Sequence, residues 1–146
     1  SHVGAWAPMA EQKAVAKFLH QKEAIRNYLQ HFKAELEVRL RGIYDGLQQL
    51  KSEGFSVDAV APQAAIYLTI KIDLAGSKTA AGKILETQGD VTAYLHNEAR
   101  LAIVLFYAFG APRTSPWYRL SVGTCKKEEI PEMMATFRAP LQKLTK

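Results

Sequence analysis

Arg119 stands in the segment Trp117-Tyr118-Arg119-Leu120-Ser121-Val122, a cation among apolar and aromatic residues. In a strand, such an arginine is placed by a rigid sheet and not by a loop. A planar guanidinium offers two parallel N–H donors to a single carboxylate, a fork that lysine cannot reproduce. The chemistry open to Arg119 is therefore carboxylate recognition. The competing reading is an arginine salt-bridged within the sheet or exposed at its edge. Arg113, in Pro112-Arg113-Thr114, has no comparable pattern around it and reads as surface charge.

Other chemistry-bearing residues do not assemble into a site. Gly76-Ser77-Lys78-Thr79-Ala80-Ala81-Gly82-Lys83-Ile84 resembles a phosphate-binding loop, but five residues separate its glycines where four are needed. Ile84 also occupies the position of the magnesium-binding hydroxyl. His2, His20, His31 and His96 show no ligand spacing, so no metal site is expected. Cys125 lies beside Lys126 and Lys127, which favour a thiolate, yet no histidine is near it in sequence. It reads as an inert small residue, and Met133-Met134 as core.

The elements that must position these residues follow from periodicity. Pro8 opens a helix, and residues 10–19 are strong helix formers. After a joint at His20-Gln21, a long helix spans 23–50, about 40 Å at its rise per residue. Ile25, Leu29, Phe32, Leu36, Leu40, Ile43, Leu47 and Leu50 form one apolar stripe along it. Gly42 and Gly46 weaken its last turns, and Gly54 ends it. Residues 57–64 read as a Pro-containing connection, 66–72 as a strand and 79–85 as a short helical piece. Asp90 is the expected N-cap of a helix over 91–97. The uniformly apolar 101–106 and the alternating 117–122 predict two further strands, and 127–144 a last helix. The order predicts an α+β fold: a long helical arm followed by a small β-sheet covered on one face by helices.

Composition bounds the function. The 146 residues hold 48% apolar and 23% charged side chains, which excludes a disordered chain. One cysteine excludes an internal disulfide framework and a Cys-rich zinc site, and fits a reducing, intracellular setting. The longest apolar run, 101–109, is about half of a membrane span. Ser1-His2-Val3-Gly4 has neither the basic region nor the apolar core of a signal peptide. A first residue other than Met leads us to expect a piece of a longer protein. The formal charge of +5 arises mostly after residue 100, where seven basic side chains face three acidic ones. They are dispersed, in runs no longer than two, and so predict a solvated surface, not a nucleic-acid interface.

Several stretches match a known family in order. They are Gly4-Ala5-Trp6-Ala7-Pro8 followed by Ala10-Glu11-Gln12, the long helix 23–50, Pro62-Gln63-Ala64-Ala65-Ile66-Tyr67, Phe109-Gly110, and Tyr118-Arg119-Leu120-Ser121 before a terminal helix. Together they resemble the C-terminal part of class I/II pyridoxal-phosphate-dependent aminotransferases, the fold-type I, aspartate aminotransferase-like group. Ala64 and Ala65 depart from the family, where a glycine is common.

The resemblance implies that residues 1–50 are a helical arm linking a large and a small domain, and 51–146 the small domain. It implies that Arg119 binds the α-carboxylate of an amino acid or 2-oxo acid substrate as the small domain closes over the active site. The cofactor would be pyridoxal 5'-phosphate. No Ser-x-x-Lys stretch for its Schiff-base lysine occurs here, and Lys13 and Lys17 read as surface lysines. No catalytic or cofactor-binding residue is therefore expected in this chain, which alone would be inactive. Its partners would be the large domain of the same polypeptide and a second subunit of a cytoplasmic homodimer, with no nucleic acid and no membrane. The alternative is a stand-alone basic αβ binding module for an acidic protein or nucleic acid.

Overall fold

Strong helix formers carry the first third of the chain, and short strands interspersed with helices make up the rest. The computed structural model describes residues 7–123 and 125–145. His2, and Gly4, Ala5 and Trp6 of the N-terminal motif, lie outside the described residues. Two compact units divide at residue 35, inside the second helix.

The first unit, Ser1–Glu35, holds α1 (Met9–Phe18) and the opening turns of α2 (Lys22–Ser52). The joint at His20-Gln21 falls where expected. Pro8 precedes α1 without a side-chain cap, and the ring of Tyr28 stacks on Phe32 at 5.9 Å. Apolar side chains here, including Val15, Phe18, Leu29 and Phe32, are exposed.

The second unit, Leu36–Lys146, contains the sheet. Its strands are β1 (Val57–Ala59), β2 (Tyr67–Ile72), β3 (Val104–Leu105) and β4 (Trp117–Ser121), in the spatial order β1-β2-β4-β3 and antiparallel throughout. Alternation divides its faces. Leu68, Ile70, Ile72, Tyr118 and Leu120 are buried. They join Leu36, Leu40, Ile43, Leu47 and Leu50 of α2, Val91 and Leu95 of α3 (Gln88–Ala99), and Phe137 and Leu141 of α4 (Ile130–Gln142) in one core. Tyr67, Thr69, Lys71, Trp117, Arg119 and Ser121 fall on the opposite, open face, as the period of two requires. The expected α+β architecture, with its small sheet covered on one face, is the observed one.

Several element boundaries differ from expectation, each for a local reason. Residues 57–64 contain the three-residue strand β1, too short for alternation to reveal. The apolar run 101–106 is strand only at Val104–Leu105, because the chain then tightens into a 3-10 turn, Phe106–Phe109, closed by Gly110 at φ 94°. Residues 79–85 are not helical: Gly82 at φ 83° breaks the helix, and a bridge pairs Lys78 with Ile84. The N-cap of α3 is Thr87. Asp90 sits three residues later and completes a reciprocal capping box with it. The last helix begins after a 3-10 turn, Lys127–Glu129, where Pro131 fits the first turn of α4. Met133 and Met134 are partly buried against the core.

Candidate functional site on the open face of the sheet

β4 lies between β2 and β3, so its backbone is hydrogen-bonded on both sides and Arg119 stands opposite Thr69 and Val104. The flanking Tyr118 and Leu120 are buried, which fixes the register and sends Arg119 to the open face. A one-residue slip would bury the charge, so the core beneath specifies the site above. Tyr118 strengthens this anchor, because its hydroxyl donates to Gln88 Oε1 at 2.7 Å within the core. Burial is the main reason its phenol is pushed up to about 12.

On the open face, the Cζ atom of Arg119 lies 4.4 Å from the centroid of the Tyr67 ring and 4.5 Å from that of Phe109. Tyr67 pairs with Ser121 across β2 and β4, which makes it a diagonal neighbour of Arg119. Phe109 arrives from the 3-10 turn after β3, and Phe106 meets its ring edge-to-face at 6.2 Å. Among the described residues Arg119 forms no salt bridge, and its guanidinium donates no hydrogen bond. Its donors are available to an anion. Carboxylate binding is chemistry this arrangement can perform.

The remaining candidates are dispersed. Arg113 is exposed, and its Cζ lies 5.4 Å from the centroid of Tyr107. His20, His31 and His96 are exposed, and among the described residues no three His, Cys, Asp or Glu side chains cluster as metal ligands. Burial, and Glu129 after it, push the Cys125 thiol up, away from a reactive thiolate. Lys83 of the phosphate-loop-like segment is tied to Asp90 at 3.0 Å. Ala65, in the segment leading into β2, adopts φ 65°, a left-handed conformation that favours glycine. The aromatic flanks of Arg119 were not legible from spacing. Tyr67 ends the stretch 62–67 and Phe109 begins Phe109-Gly110, but only the fold brings the two rings to one guanidinium.

The likeness to known proteins is one of family and fold. The family described as aminotransferase class I and II matches residues 4–137. The probable aspartate/prephenate aminotransferase of Rickettsia bellii is 38% identical over 68 residues, 46% of this chain and 16% of that protein. Its counterpart in Rickettsia felis matches equally, at 38% over 68 residues. Among solved structures, the aspartate aminotransferase from Rhizobium meliloti superposes with a TM-score of 0.68 at 27% identity, covering 81% of this chain and 28% of that one. The aromatic aminotransferase from Pyrococcus horikoshii OT3 shares the fold, with a TM-score of 0.62 at 22% identity over 80% of this chain and 27% of its own. The chain thus matches less than a third of the length of each of these relatives.

Proposed function

The chain belongs to the class I and II aminotransferases, and on that premise we propose that it serves as the small domain and interdomain helical arm of such an enzyme. Residues 1–50 are then the arm and 51–146 the domain. Arg119 binds the α-carboxylate of an amino acid or 2-oxo acid. The observation that carries this reading is a guanidinium fixed on an interior strand, facing outward, with its donors unspent.

The family's cofactor, pyridoxal 5'-phosphate, supplies the amino-group chemistry when bound. The residues of this chain do not fit it: none of the described lysines is buried. In the loop over residues 76–83 five residues separate the glycines, and Lys83 is already paired with Asp90 at 3.0 Å. Cofactor binding therefore falls to the large domain on this reading, and the chain transaminates only when joined to it. Closure of the small domain brings Arg119 to the substrate and excludes water. We infer a homodimer in the reducing cytoplasm, in keeping with a single free cysteine. Among the described residues no helix is long and apolar enough to cross a membrane. The similarity to aminotransferases favours this reading over a stand-alone basic binding module.

Steady-state kinetics on the polypeptide that joins this chain to its large domain tests the assignment. Arg119→Ala raises the KM for the amino acid about 100-fold, because two charge-assisted hydrogen bonds are lost. Arg119→Lys recovers little, since the fork is missing. Arg113→Ala leaves the KM unchanged. Equal effects at positions 119 and 113 would sink the assignment.

A further inference from the structure

Tyr67 and Phe109 are large aromatics left 43% and 56% exposed, so burial in the core does not account for their placement. What they share is the guanidinium of Arg119, with ring centroids 4.4 Å and 4.5 Å from its Cζ atom. They come from different elements: Tyr67 is the first residue of β2, and Phe109 the last of the 3-10 turn after β3. The turn itself is fixed at its far end by Gly110 at φ 94°, and the Phe109 ring by its edge contact with Phe106.

We propose that Tyr67 and Phe109 are positioning residues that hold Arg119 ready for a carboxylate. The proposal rests on the reading of Arg119 as the carboxylate binder and deepens it. A free arginine samples many rotamers and must lose them on binding, which weakens affinity. A guanidinium is weakly hydrated and stacks readily on ring faces. Ring faces attract the cation without accepting conventional N–H···O hydrogen bonds, so the stack restrains Arg119 while leaving its donors for the ligand. The rings also displace water beside the donors, which strengthens a charge-assisted hydrogen bond formed there. Strand β4 fixes where the side chain starts, and the rings fix where it ends. Neither ring touches the substrate in this account. Both act through Arg119.

The test uses the ¹⁵N-labelled 146-residue chain. The Arg119 Nε–Hε signal is identified by its loss in Arg119→Lys, and acetate is titrated against sodium chloride at matched ionic strength. In the native chain Arg119 Nε is expected to be nearly as rigid as the backbone by heteronuclear NOE, and to shift with acetate beyond chloride. Joint Tyr67→Ala and Phe109→Ala substitution lowers that NOE and weakens acetate binding by about threefold to tenfold. Tyr67→Phe and Phe109→Tyr each retain both properties, because the ring and not the hydroxyl is what stacks. The exposure of both rings predicts an unchanged thermal midpoint in all of these variants, which separates positioning from folding. Ring loss that leaves the NOE and the acetate affinity unchanged overturns the proposal while leaving Arg119 as carboxylate binder. A loss in Tyr67→Phe equal to that of the joint alanine variant overturns it too. If acetate moves the native Arg119 signal no more than chloride does, the reading of Arg119 itself falls, and the positioning role with it.

Discussion

Tyr118 and Arg119 are neighbours on one strand whose polar groups go opposite ways. Arg119 keeps its donors on the open face, whereas the Tyr118 hydroxyl is satisfied inside the core by Gln88. Gln88 is itself 6% exposed, and its amide reaches toward the Thr114 carbonyl at 3.5 Å. Removing the hydroxyl strands the Gln88 oxygen without a donor, and an unpaired buried acceptor costs more than the bond contributes. Tyr118→Phe is expected to lower stability by about 1–2 kcal/mol. Adding Gln88→Leu should return part of the loss, because both polar partners are then gone. Urea unfolding checks this: the midpoint falls in the single variant with an unchanged slope, then partly recovers in the double. At this scale the sequence was partly legible. An arginine between apolar residues announces a strand residue facing away from the core. The Tyr118–Gln88 bond joins residues thirty positions apart and leaves no trace in local pattern.

Among the elements, α2 was the easiest to read and its glycines the hardest. The stripe of threes and fours predicted a helix over 23–50, and Lys22–Ser52 is one helix. Short elements such as β1 and β3 were missed or misjudged, because two or three residues cannot express a period. Gly42 and Gly46 read as weak points, yet the helix runs through both, and α4 lies against them. A Cβ at position 46 would stand 2.8 Å from Met134 Cγ, whereas one at position 42 would stand 3.2 Å from the terminal Cδ1 of Ile130. Replacing a helical glycine with alanine gains about 1 kcal/mol of helix propensity. Gly42→Ala should keep most of that gain, since a methyl at the end of Ile130 yields by a few tenths of an ångström. Gly46→Ala should instead destabilise by about 1 kcal/mol, because the displaced Met134 Cγ moves its whole side chain in a packed interface. Thermal unfolding of the two variants decides it: opposite signs are expected. Two increases would mean that α4 is free to shift away from α2.

For the whole molecule, the charge pattern that looked like plain surface also sets a pH window. Asp58 accepts hydrogen bonds from Lys51 at 2.6 Å and Gln48 at 3.0 Å, tying β1 to α2. The Lys51 bond, then the Gln48 bond, holds its carboxyl down to about 2. Asp90 is held at about 2 chiefly by the Thr87 hydroxyl, then by Lys83. Both groups bind protons more tightly in the unfolded chain, where an ordinary aspartate titrates near 3.8. Their contribution is therefore complete above that value and is lost as pH falls toward 2. Tyr118 sets the opposite limit. Its folded phenol titrates at about 12 against an ordinary 10.0, so its contribution is complete below pH 10 and fades as pH rises through 12. That arm is worth about 2–3 kcal/mol. The Asp58 arm is nearer 1 kcal/mol, because its carboxylate is a third exposed and solvent screens the pair. Stability measured by denaturant titration from pH 2 to 12 is thus expected to form a plateau between about pH 5 and 9 with a fall on each side. Asp58→Asn should lie below the native chain on the plateau and converge with it near pH 2. Tyr118→Phe should lie lower on the plateau, keep the acid fall and flatten the alkaline one. Convergence at the wrong end of the scale would show that neither group carries the linkage assigned to it.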